Sequence, residues 1–95
     1  MDLVKIIEDN PRVLVDIWAP WCGPCRMTTP LVEEIEREVR DVTVVKINAD
    51  EEPEIIKSLG VSAVPTFLYY KNGKLAGDKI GAVNKVGLQE LIEEL

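Results

Sequence analysis

Cys22 and Cys25 form a Cys-Gly-Pro-Cys step between a run of apolar β-formers and a helical pattern, and the chain has no other cysteine. A strand must deliver the chain to the start of a helix at this point, which restricts the fold more than any other feature. Residues at i and i+3 on a first helical turn are neighbours, so a small disulfide ring can open and close with little backbone movement. The entropic gain from a cross-link grows with the loop it closes, and this loop is among the shortest possible. The pair therefore reads as a redox switch in preference to a brace. With the helix starting near Gly23 or Pro24, the Cys22 sulfur lies at its N-terminus, where unpaired N–H groups and the positive dipole end favour a thiolate. Cys22 is the expected nucleophile, and Cys25, one turn further in, the resolving thiol. Half of a zinc site is the other reading, but such a site needs about four Cys, His or carboxylate ligands. With no histidine and no third cysteine, only a metal shared between two chains would remain, and no metal is expected.

Ninety-five residues with 46% hydrophobic and 29% charged side chains suit one globular domain, over residues 1–95. The formal net charge of -6, from 11 basic and 17 acidic residues, argues against nucleic acid or an anionic membrane as partner. Proteins are the better candidates. The start, Met1-Asp2-Leu3-Val4-Lys5, lacks the basic-then-apolar pattern of a secretory leader, and no apolar run is long enough to span a membrane. A cytoplasmic location and a monomer are the expectations, and a reducing compartment would keep the cysteines as thiols between turnovers.

Leu3, Ile6 and Ile7 form a short amphipathic helix that Asn10-Pro11 ends, because a residue before proline avoids the helical region. Arg12 to Trp18 carries apolar groups on both faces, Val13, Val15 and Ile17 on one and Leu14 and Trp18 on the other, as a strand covered on both sides does. From Pro24 to Arg40, Met27, Leu31, Ile35 and Val39 predict the inward stripe of a long helix, with Pro30 expected to kink it. Val42 to Ile47 reads as a second, parallel strand joined by a right-handed crossover. Asp50 is the expected cap of a helix through Leu59, with Ile55, Ile56 and Leu59 facing inward and Gly60 at its stop. Thr66 to Tyr70 and Leu75 to Ile80 flank Asn72-Gly73, the signature of a type I′ hairpin. Asn84 caps a last helix whose buried stripe is Leu88, Leu91, Ile92 and Leu95.

Val15-Asp16-Ile17-Trp18-Ala19-Pro20-Trp21-Cys22-Gly23-Pro24-Cys25, Val64-Pro65-Thr66, Lys71-Asn72-Gly73 and Gly81 together resemble the thioredoxin family, over residues 12 to 95. The resemblance implies a three-layer α/β/α fold around a mixed sheet, with the hairpin strands added beside the first strand. Family members usually have one more strand before the first helix. Four strands are therefore expected here, in the order α-β-α-β-α-β-β-α, with Val42 to Ile47 at an exposed edge where Lys46 guards against pairing.

Asp16 points to the same strand face as Leu14 and Trp18, and by pattern alone it lies either buried or at a solvated sheet rim. The resemblance places the matching acid under the resolving cysteine, where it helps move that thiol's proton through water, and puts a lysine near it at Lys46. An edge lysine is the other reading of Lys46. Pro65 is an ordinary strand-entry proline by pattern. The resemblance makes the Val64-Pro65 bond cis and sets the Val64 backbone where an extended substrate pairs with it. Trp21 beside the dithiol belongs to a docking surface or to the core, whereas Trp18, on the strand, is expected in the core. By resemblance Gly23, Pro24, Gly60, Val61, Gly81 and Ala82 complete a small, apolar substrate patch, and turn or bulge glycines are the alternative.

The function this implies is a protein-disulfide reductase restored by a thioredoxin reductase and acting on disulfide-containing proteins, with no cofactor beyond the cysteine pair. Gly-Pro between the cysteines resembles the reducing members, whereas an oxidase or isomerase usually carries a histidine there. A binding subunit using the same surface without turnover is the reading from another class.

Overall fold

The computed structural model describes residues 1–94. Among them the elements follow as α1 (Leu3–Asp9), β1 (Arg12–Trp18), α2 (Gly23–Glu38), β2 (Thr43–Asn48), α3 (Pro53–Leu59), β3 (Thr66–Lys71), β4 (Lys74–Ile80) and α4 (Lys85–Glu93). The sheet order is β2-β1-β3-β4. β1 runs parallel to β2 and antiparallel to β3, and β3 pairs antiparallel with β4. The mixed, four-stranded arrangement with β2 at an edge is the one expected.

β1 is buried from Val13 to Ile17 because helices cover both its faces. On one face Leu14, Phe67 and Tyr69 meet Val32 and Ile35 of α2 and Leu88, Leu91 and Ile92 of α4. On the other, Val13, Val15, Ile17, Val45, Ile47 and Leu68 meet Leu3 and Ile7 of α1, with Ile55, Ile56 and Leu59 of α3 packed against them. Each fully buried aliphatic side chain contributes roughly 1.5–3 kcal/mol relative to exposure. At the hairpin tip Asn72 and Gly73 both have positive φ, 51° and 83°, as a type I′ turn requires. Asn84 Oδ1 accepts the Gly87 N–H at 2.8 Å and caps α4. Leu95, expected in the stripe of α4, lies outside the described residues.

Several local expectations are corrected. In α2 the buried side chains are Cys25, Thr28, Val32 and Ile35, while Leu31 and Val39 are half-buried and Met27 is 72% exposed. A helix advances about 100° per residue, so Met27 sits about 80° around from Ile35 while Thr28 sits only about 20° away on the core side. A four-residue spacing drifts off the face it starts on. α2 continues as helix through Pro30. The second strand begins at Thr43, one residue later than expected, and Val42 enters the core just before it. Asp50 does not cap α3: Glu52 is the N-cap residue, with no side-chain cap bond. Trp18 is half-buried at the sheet's end, outside the fully covered run.

Candidate active site

β1 ends at Trp18, and the Ala19-Pro20-Trp21 turn closes with the Cys22 N–H donating to Ala19 O at 3.1 Å. Cys22 is the N-cap of α2, and its Sγ accepts the Cys25 N–H at 3.1 Å. The sulfur thus occupies the place of a capping oxygen, at the end of the helix where partial positive charge gathers. Pro24 in the first turn loses nothing by lacking an N–H there. Cys22 and Cys25 are joined as a disulfide with Cα atoms 5.3 Å apart. Both are nearly buried beside Ala19, Trp18 and Val64, while Trp21, Gly23 and Pro24 are exposed around them.

The Val64-Pro65 bond is cis. Pro65 O accepts the Gly81 N–H at 2.8 Å, which ties the end of β4 to this loop. Gly81 has φ 92° and Gly60 φ 70°, both in the left-handed region that side chains other than glycine avoid. Trp21, Ile56, Val61, Ala63 and Val64 line a shallow groove of about 190 Å³ beside the disulfide. Gly60 and Val61 line a neighbouring cleft with Ile80. Ala82 is exposed next to Gly81. Of the residues singled out in the sequence, Trp21, Val61 and Val64 line this groove, whereas Gly23, Pro24, Gly60, Pro65, Gly81 and Ala82 stand outside its lining.

Asp16 is only 2% exposed, and its Oδ1 has no hydrogen-bond partner among the described residues. Burial pushes its carboxyl up to about 6, against a smaller opposing pull from the Lys46 ammonium. Lys46 is its register neighbour on β2, and both line a cavity of about 340 Å³ with Trp18 and Thr29. Lys46 Nζ also lies 4.0 Å from carboxylate oxygens of Glu33 and Glu36. The solvated-rim reading of Asp16 is excluded by this burial.

Three residues at the site escaped the sequence reading. Met27, on the disulfide helix α2, and Ile80, at the end of β4, are large apolar side chains standing 72% and 68% exposed, and Ile80 lines the cleft with Gly60 and Val61. Thr29 donates its hydroxyl to the Cys25 carbonyl at 2.9 Å. Only the helix's angular phase distinguishes Met27 and Thr29 from core positions, and that phase depends on where α2 starts. Among the described residues there is no cluster of three His, Cys, Asp or Glu that could hold a metal ion, and no helix long and apolar enough to cross a membrane.

The thioredoxin family model matches residues 3–94. Thioredoxin 1 of Synechococcus elongatus is 42% identical over 91 residues, covering 95% of this chain and 85% of that protein. The thioredoxin of Rickettsia felis is also 42% identical over 91 residues, covering 95% of this chain and 87% of its own length. Oxidised mitochondrial thioredoxin 3 of Saccharomyces cerevisiae has the same fold at a TM-score of 0.92 and 38% identity, covering 99% of this chain and 88% of that one. By its disulfide at a helix start, its cis-proline loop and these relatives, the chain belongs to the thioredoxin family of protein-disulfide oxidoreductases.

Proposed function

We propose that the protein is a general protein-disulfide reductase of the cytoplasm, acting as a monomer and re-reduced by a thioredoxin reductase. The carrying observation is the placement of Cys22 as the cap of α2 with Cys25 one turn behind it. The Cys22 thiolate, favoured by the helix N-terminus, attacks one sulfur of a substrate disulfide and the other sulfur leaves. Cys25 then attacks Cys22 in the mixed disulfide, releasing the reduced substrate and leaving the Cys22–Cys25 disulfide. The cysteine pair itself carries the two electrons.

Asp16 takes the proton that Cys25 must lose. Its raised value near 6 suits an acceptor working close to neutrality, where a group of ordinary carboxyl strength would be too weak a base. Lys46 favours the charged state of Asp16 across the cavity. Trp21, Gly23, Pro24, Val61 and Val64 form the docking surface, Val64 offers its backbone to an extended substrate segment, and Pro65, Gly60, Gly81 and Ala82 shape the rim. An apolar groove beside the reactive sulfur suits unfolded or extended segments around a disulfide.

The test is reduction of a protein disulfide by the purified protein with a thiol donor. Cys22→Ser should abolish turnover, and Cys25→Ser should accumulate a mixed disulfide visible as a mass increase. Turnover by Cys22→Ser would overturn the assignment. A reduction potential well above the roughly -270 mV characteristic of thioredoxins would mark an oxidant instead.

A further inference from the structure

Cys25 must become a thiolate before it can attack the mixed disulfide. Two hydroxyls converge on its backbone, because Thr28 Oγ1 and Thr29 Oγ1 both donate to Cys25 O, at 3.0 and 2.9 Å. They differ in their surroundings. Thr28 is 1% exposed inside the core, whereas Thr29 is half-buried and lines the cavity it shares with Asp16, Trp18 and Lys46. A hydroxyl that donates one hydrogen bond keeps two lone pairs as acceptors. Thr29 holds them at the wall of that cavity.

Asp16 Oδ1 is the matching group, an unpartnered carboxylate oxygen on a residue 2% exposed that lines the same cavity. The cavity's volume of about 340 Å³ exceeds the roughly 30 Å³ that one water occupies in the liquid, and a held water needs two to four polar partners. Thr29 and Asp16 bring a hydroxyl and a carboxylate to its lining, and Lys46 brings an ammonium. No other hydroxyl lines this cavity.

We propose that Thr29 is a positioning residue for the resolving step, its hydroxyl anchoring together with Asp16 the water that carries the Cys25 proton. This rests on the reading of Asp16 as proton acceptor. The Cys25 S–H bond breaks, its proton passes to the water, and a proton of that water passes to the Asp16 carboxylate, so the water is regenerated and Asp16 becomes neutral. The Cys25 thiolate then forms its bond to Cys22 Sγ while the bond from Cys22 to the substrate sulfur breaks, and the substrate leaves as a thiolate with that electron pair. The charged groups around this path are Lys46 from β2, Glu33 and Glu36 of α2 beyond it, and Glu51, Glu52 and the Met1 amino group at the cavity. Phe67, paired with Asp16 from β3, and Leu88, Leu91 and Ile92 of α4 bring no charge.

Rapid mixing of the reduced protein with an aromatic disulfide reads the two steps separately, as release of a first and then a second coloured thiolate. Thr29→Val should leave the first release unchanged and slow the second about fivefold, the size of one neutral hydrogen bond. Its pH profile should shift as well, since the carboxylate loses a solvating partner. Thr29→Ser should restore both. Thr28→Val is the control for the carbonyl contact, and it should leave rate and profile as in the wild type. If Thr29→Val unfolds, Thr29→Ala read against Thr29→Ser serves the same comparison. Equal second-phase rates in Thr29→Val and wild type, or equal slowing by Thr28→Val, would overturn the role of Thr29 while Asp16→Asn still slows that phase. If Asp16→Asn leaves the second phase at the wild-type rate, the Asp16 reading itself fails, and the proposal falls with it.

Discussion

Trp21 and Asp50 are joined across the active-site rim: the indole Nε1–H points at both carboxylate oxygens of Asp50, at 3.1 and 3.2 Å. Asp50 is itself held by its N–H donating to Asn48 Oδ1 at 2.9 Å, at the end of β2. The largest exposed aromatic of the proposed docking surface is thereby fixed to the strand beside the one that carries Asp16. A fixed ring loses less entropy when a substrate packs on it.

Asp50→Ala removes this restraint without touching the core. The prediction is a two- to fivefold rise in KM for a protein disulfide, on the order of the 0.5–1 kcal/mol a modest hydrogen bond contributes, with kcat nearly unchanged. Because Asp50 is exposed and caps no helix, the unfolding free energy should stay within about 0.5 kcal/mol of wild type. Steady-state kinetics and urea unfolding on one preparation check both, and a loss of kcat without a change in KM would count against a docking role.

Asp16→Asn should stabilise the fold while slowing turnover. The folded-state value near 6 lies above the ordinary 3.8, so the folded protein binds the proton more tightly than the unfolded chain. The penalty is therefore absent below about pH 3.8, grows as pH rises through the interval to 6, and is complete above it. At pH 7 the gain from Asp16→Asn is up to about 3 kcal/mol, and at pH 3 it is close to zero. Urea unfolding at both pH values measures it. Equal midpoints at pH 7 would mean that the carboxylate is solvated after all.

Much of this was legible in the sequence because it follows from local rules. The Cys22 cap, the Asn72-Gly73 turn, the Asn84 cap and the doubly covered β1 each depend on a few neighbouring residues, and each formed as read. What was not legible depends on tertiary placement. Asp50 is a good capping residue by type, yet its carboxylate finds the Trp21 indole 29 positions away in sequence. Met27 falls outside the core by helical phase alone, and Thr29 acquires its interest only because it lines one cavity with Asp16. The burial of Asp16 was ambiguous for the same reason: alternation gives the face of a strand residue, whereas depth is set by what packs on that face.

Arg12 supplies a prediction at the opposite end of β1. Its Nε donates to Tyr69 Oη at 2.7 Å, and its two terminal nitrogens donate to Asp41 at 2.8 Å and to Ile92 O at 2.7 Å. One planar fork thus links β1, β3, the loop before β2 and the end of α4. A lysine ammonium cannot reproduce three such divergent contacts. Arg12→Lys should cost roughly 1–3 kcal/mol, chiefly from the partly buried bonds to Tyr69 and Ile92, since the exposed Asp41 pair contributes little. Turnover of the folded variant should equal wild type, because the disulfide lies at the other end of the strand. Urea unfolding and disulfide reduction measured together decide it, and unaltered stability would show that the fork is dispensable.

Lys46→Met tests the electrostatics of the Asp16 cavity from its other side. The Lys46 ammonium favours the charged carboxylate, so removing it must raise the Asp16 value further above 6. Burial remains, and nothing then opposes it. The alkaline shift should appear directly in a ¹³C titration of the Asp16 carboxyl and in the pH dependence of the resolving step, whose rate at pH 7 falls as the carboxylate fraction falls. Fold stability should also drop at pH 7, where Asp16 must ionise without its neighbour, and this contribution should vanish below about pH 3.8, where the carboxyl is neutral in both folded and unfolded chains. The Glu33 and Glu36 contacts of Lys46 are exposed and 4.0 Å long, so their loss adds little to either effect. An Asp16 titration that stays put in Lys46→Met would show that the ammonium is too well solvated to be felt across the cavity.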